Sequence, residues 1–134
     1  MSPTGWREIA VGDLLVFASP VVLTPAQAQG IDTAASEWCG NDLLVRIDHG
    51  LFVDPLTRYA RQAGCRVFDL SIDGQPAKGV AFDQADGSRF TAVHFPRLSL
   101  PRAGSNKLTF VVISRGDRTA EDAMRIARSI RFCR

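Results

Sequence analysis

A chain of 134 residues, 46% hydrophobic and 22% charged, is the size and composition of one ordinary globular domain. A net charge of only +2 excludes the strongly basic, aromatic-interleaved profile of a nucleic-acid module, and no apolar run reaches the roughly 20 residues that a bilayer-spanning helix needs. A domain this long buries about two-thirds of its unfolded surface, so it folds without a metal or disulfide staple.

Charge is unevenly spread. Residues 1–59 carry three Arg against seven Asp and Glu (−4), and residues 60–134 carry thirteen Lys and Arg against seven (+6). Arg125, Arg128, Arg131 and Arg134 recur at a spacing of three, which on a helix keeps them near one face. Two readings stand: a solvated face complementing the helix dipole, and a patch for phosphate or an acidic partner.

In chain order, residues 6–10 and 14–19 read as two strands joined by a turn at Gly12-Asp13. Residues 14–28 also imitate a secretory signal, ending in Ala26-Gln27-Ala28. Arg7 is the only positive side chain ahead of the run, Glu8 and Asp13 oppose it, and Pro20 interrupts it, so a strand and a Pro-bounded loop explain the same letters. The chain as it stands reads as cytoplasmic, with the periplasm or cell envelope as the alternative if a leader once preceded Met1. Residues 26–41, rich in Ala, Gly, Ser and Asn, read as loop. Residues 42–49 form a third strand in which Leu44, Arg46 and Asp48 alternate with Leu43, Val45 and Ile47. Asp54 suits an N-cap and Pro55 a first helical position, so a helical or irregular stretch is expected through Ala63, ended by Gly64.

The middle of the chain is the clearest. Residues 66–73, 77–83 and 89–95 alternate, and Asp73-Gly74 and Asp86-Gly87 separate them, which predicts a three-stranded meander because both central turn residues require positive φ. Residues 96–106 hold two prolines and read as surface loop. The unbroken apolar run at residues 108–113 suits a central strand covered on both faces. Thr119 caps a final helix, with Asp122 completing an approximate capping box, and Ala120, Ala123, Met124, Ala127 and Ile130 form its buried stripe. Ile130-Arg131-Phe132 is expected to pack against the domain.

The segments Gly30-Ile31-Asp32, Trp38, Arg46-Ile47-Asp48-His49-Gly50 and Ala127-Arg128-Ser129-Ile130-Arg131-Phe132 resemble small bacterial proteins of uncharacterised function that are similar in layout to the PsbP-like fold group. That group includes an extrinsic subunit of the photosynthetic oxygen-evolving complex and a nuclear-transport factor that binds the Ran GTPase. The resemblance implies an α+β fold, a PsbP-like α/β/α sandwich with a mainly antiparallel sheet of five to seven strands flanked by helices, in a single domain over residues 1–134. It carries over no catalytic residue and no function. Where the group's pattern leads one to expect Asp-Tyr-Gly, this chain has Asp48-His49-Gly50.

Aromatic and ionisable residues concentrate between positions 30 and 59, so the expected ligand- or partner-binding residues are Trp38, Asp48, His49, Phe52 and Tyr59. The plainer reading of His49 is a strand-end histidine bonded to local backbone, and of His94 a satisfied surface or packing residue. Cys39, His49, Cys65, His94 and Asp48 are types that bind zinc, but their spacings match no metal pattern. No CxxC pair is present; one disulfide with one free thiol, or three reduced thiols, both fit. No nucleophile elbow and no phosphate-cradling glycine loop occurs. A carboxylate pair could be drawn from Asp69, Asp73, Asp83 and Asp86, of which two belong to turns. The leading expectation is therefore a non-catalytic binding or accessory domain for a protein partner or small ligand, with no cofactor, metal or nucleic acid. The alternative is a hydrolase or metal-dependent enzyme working through His49 and nearby carboxylates.

Overall fold

The computed structural model describes residues 5–26, 34–50, 56–98, 107–116 and 120–133. Among them are ten strands: β1 (Arg7–Val11), β2 (Leu15–Ser19), β3 (Thr24–Ala26), β4 (Ala34–Gly40), β5 (Leu43–Gly50), β6 (Arg66–Ile72), β7 (Gln75–Asp83), β8 (Arg89–Phe95), β9 (Lys107–Ser114) and β10 (Arg131–Phe132). The one α-helix among the described residues, α1, spans Ala120–Arg128. A large antiparallel sheet has the order β3-β4-β5-β9-β8-β7-β6, and a small one the order β1-β2-β10.

The expected α/β/α sandwich is corrected by this arrangement. The chain is mostly strand, and the layer opposite the large sheet is the small sheet plus α1. Of the helical or irregular stretch expected through Ala63, the described residues 56–63 take the irregular form, with a single 3-10 turn at Tyr59–Arg61. Leu56 sits at φ 68, a left-handed conformation no helix tolerates, and the segment is pinned by isolated anchors (Leu56, Tyr59, Cys65) rather than by a repeating stripe. Asp54 and Pro55 lie outside the described residues, as do Thr119, Gly30-Ile31-Asp32 and most of the loop expected over residues 96–106.

The loop expected over residues 26–41 is corrected in its second half. Residues 34–40 are β4, paired in full with β5 across a two-residue turn, Asn41-Asp42, in which Asp42 takes φ 58. The meander at β6-β7-β8 is as expected, and the Asp73-Gly74 turn has positive φ at both residues (51° and 77°). Strand β9 lies in the middle of the large sheet and is buried on both faces: Leu108, Phe110 and Val112 on one, Thr109 and Val111 on the other.

The main core lies between the two sheets and α1. Phe17 of β2 meets Phe110 of β9 edge-to-face at 5.3 Å, and Phe132 of β10 meets Phe95 of β8 in the same way at 5.1 Å. Phe132 N–H donates to Asp73 Oδ2 at 2.8 Å, and Cys133 N–H to the Leu14 carbonyl at 2.9 Å, which fixes the expected packing of the final residues. Beyond the reach of β10, Ala18 N–H on β2 finds an acceptor in Ser129 Oγ at 2.8 Å, so this buried donor is not orphaned. On β7, Gly79 leaves room for the Phe68 ring of β6, which lies where a Cβ would stand. A smaller core forms on the other face of the large sheet around Val80, Phe82, Phe90, Ala92 and Val111, under Leu56 and Tyr59.

Candidate functional site

Strand periodicity divides the five expected site residues. Successive side chains on a strand point to opposite faces, and residues opposite each other across a ladder share a face. His49 stands opposite Leu108, and Trp38 opposite Val45, both fully buried residues of the main core. Trp38 and His49 therefore belong to the core side. Asp48 stands opposite Thr109 on the other side, where Tyr59 also packs. Phe52 lies outside the described residues. The structure thus brings Asp48 and Tyr59 together and turns Trp38 and His49 away from them.

Trp38 Nε1 and His49 Nε2 are both buried and have no hydrogen-bond partner among the described residues. Burial alone holds the His49 imidazole below its ordinary value of 6.5. The unfolded chain then takes up this proton first as pH falls below about 6.5, and the folded chain only at lower pH, so acidification favours unfolding over that interval. The protein is expected to lose stability as pH falls from about 6.5, and His49→Phe to flatten part of that slope. Urea titrations of both proteins across this range provide the check; identical slopes would mean that the folded-state ring is solvated.

On the face that carries Asp48, two rows of side chains cross the large sheet. One runs Glu37, Arg46, Val111, Ala92, Val80, Val67, and the next Asp48, Thr109, His94, Lys78, Asp69. Arg46 joins the rows: its Nε and Nη2 donate to the two Asp48 carboxylate oxygens at 3.0 and 3.1 Å, and its Nη1 to Glu37 Oε2 at 3.3 Å. The hydrogen bond to Asp48 is the main reason its guanidinium is held above the ordinary arginine value. In the second row, buried His94 shares a 2.8 Å hydrogen bond between its Nδ1 and Thr109 Oγ1. His94 is thus a buried packing residue, as its plainer reading held.

Above these rows sits an aromatic cluster. Tyr59 packs against Phe90 at 4.8 Å and Phe82 at 5.6 Å, and those two stack at 4.9 Å. The Arg58 guanidinium lies 4.7 Å over the Tyr59 ring and donates to its hydroxyl at 2.6 Å. Between the cluster and the Arg46–Asp48 pair opens a cleft of about 290 Å³, floored by Leu44, Val111 and Ile113, walled by Leu56, Tyr59 and Phe90, and edged by Arg46, Asp48, Arg58 and Thr109. Arg46, Arg58 and Thr109 did not figure among the expected residues.

No protein-family model matches the chain, and no curated protein matches it.

What this site does must come from its own chemistry. Among the described residues, no three of His, Cys, Asp and Glu gather in a way that would hold a metal ion, and Cys39, Cys65 and Cys133 are free thiols. No described helix is long and apolar enough to cross a membrane. His49 and Asp48, its neighbour in the chain, lie on opposite faces of β5.

Proposed function

We propose that this chain is a non-catalytic binding domain whose site is the cleft between Tyr59 and the Arg46–Asp48 pair. The observation that carries the reading is the pairing, in one concave site, of an apolar floor with a few fixed polar groups, the usual composition of a ligand pocket. Its charged groups are engaged with one another: Asp48 with Arg46 in a two-point contact, and Arg46 with Glu37 as well. Groups so held orient a ligand; they are poorly placed to shuttle protons, which favours recognition over catalysis. At about 290 Å³ the cleft stands at the small end of ligand pockets. It suits one ring-sized group, either a small ligand or a single side chain of a protein partner.

A fragment screen by protein-observed NMR tests this. Ring-containing fragments are expected to perturb the amide signals of Leu44, Arg46, Thr109 and Val111, and Ile113→Trp, which fills the floor without removing a partner, is expected to abolish those shifts while the protein stays folded. Fragments that bind the variant equally well, or that perturb another region, would overturn the assignment.

A further inference from the structure

The two ends of the large sheet are treated differently. At one end, β3 includes Pro25, which blunts the edge against pairing. At the other end, β6 runs for seven residues without proline and, among the described residues, is paired on one side only, with β7. Beside this open edge lies a groove of about 610 Å³, whose far wall is Met124 and Arg128 of α1 and whose near wall is Arg66, Val67, Phe68 and Asp69. Val67 is 55% exposed. The Phe68 ring, folded over Gly79, lines the groove as well.

The charges here are also distinctive. The expected single arginine face is not formed: α1 ends at Arg128, and Arg131 belongs to β10. Arg125 stacks over Trp6 at 5.0 Å and reaches Asp122 at 3.8 Å, while Arg131 pairs with Glu8. Arg134 lies outside the described residues. In contrast, Arg66 and Arg128 are exposed, have no ionic partner among the described residues, and converge on the same groove. Asp69, the groove's one carboxylate, is bound to Lys78 at 3.3 Å.

We infer that the β6 edge and the Arg66–Arg128 pair form a docking site for an extended, acidic segment of a protein partner, added as a further strand to the large sheet. Unpaired main-chain groups of β6 supply the ladder, Val67 receives the apolar side chains that point to its face, and the two guanidiniums, which lie with Phe68 and Met124 on the opposite face, receive the carboxylates. Charge decides against a second copy of this chain as the occupant, because edge-to-edge pairing would bring four unneutralised arginines together. This inference does not depend on the cleft at Tyr59, which lies on a different part of the sheet.

The probe is an acetylated, amidated hexapeptide of alternating Glu and Val, with a Lys–Val hexapeptide as the charge control. Titrated at low salt and followed by backbone NMR, the acidic peptide is expected to shift β6 and α1 amides, and the basic one to leave them unmoved. The double variant Arg66→Glu/Arg128→Glu, both surface positions, is expected to weaken binding at least tenfold. Two further acidic peptides, N-methylated at odd or at even residues, separate ladder formation from plain charge attraction: one of the two is expected to lose binding. Equal binding of both methylated peptides, undiminished binding by the double variant, or no shift at β6 would each overturn the proposal. Concentration-dependent dimerisation of the free protein through β6, read by sedimentation and the same amide shifts, would also overturn it and assign the edge to self-association.

Discussion

Replacing Phe110 by Ala is expected to destabilise the protein by about 3–5 kcal/mol, a large part of the roughly 5–15 kcal/mol that holds a typical domain together. Phe110 is fully buried at the middle of β9, the middle strand of the large sheet, and its ring is the partner of Phe17 from the small sheet. The truncation removes apolar burial and leaves a cavity that two sheets and a helix cannot jointly close. Urea unfolding should show a lower midpoint at an unchanged slope, since the surface exposed on unfolding stays nearly the same. A cycle of Phe17→Leu, Phe110→Leu and the double variant isolates the edge-to-face contact, for which a coupling of about 0.5–1.5 kcal/mol is expected. A cost below about 1 kcal/mol for Phe110→Ala would mean that the sheets are not packed on this residue.

Ending the chain after Ile130 should have an effect at least as large. It removes Phe132, which is 5% exposed and packs on Phe95, and deletes the strand that pairs with Val16 and Leu15. It also strips the Asp73 carboxylate and the Leu14 carbonyl of the N–H groups bonded to them here. Loss of the Phe132 ring alone is worth about 3–5 kcal/mol, so the shortened protein is expected to melt well below the full one and to populate the unfolded state measurably. The matched control is Arg131→Ala. Its ion pair with Glu8 is exposed on both sides, and such pairs contribute about 0–1 kcal/mol. Calorimetry of the three proteins distinguishes the buried contribution from the exposed one; equal melting of the shortened and full chains would show that β10 adds nothing.

Part of this architecture was legible from local signals. The Asp73-Gly74 pair specified its hairpin because the turn demands positive φ at both residues, and the unbroken run at residues 108–113 specified a strand covered on both sides. Strand β4 was not legible. Its sequence, Ala-Ala-Ser-Glu-Trp-Cys-Gly, holds one residue with strong strand preference, and it is extended because β5 offers a complete ladder across the Asn41-Asp42 turn. The second layer was misread because α1 and the small sheet cover the same face, an arrangement set by long-range pairing of β2 with β10. The five candidate residues were grouped, and the structure divides them, for a simpler reason. The alternation of Leu44, Arg46 and Asp48 against Leu43, Val45 and Ile47 already places His49 and Asp48 on opposite faces, but proximity in sequence grouped them. Thr109 and Arg58 left no such trace, since their place at the cleft depends on the β5–β9 register and on the 3-10 turn.

The pairing of β2 with both β1 and β10 joins residues 7–19 and residues 131–132 in one small sheet. During synthesis the β1-β2 hairpin leaves the ribosome with Leu15 and Phe17 uncovered, and every strand of the large sheet is made before the residues that complete its own sheet. Contacts between such distant residues form late and slow folding, and apolar surface left waiting is where nascent chains associate wrongly. This domain therefore closes like a clasp once residues 131–132 have been made: a growing chain paused short of Phe132 would hold an assembled large sheet and a β1-β2 hairpin still in need of protection.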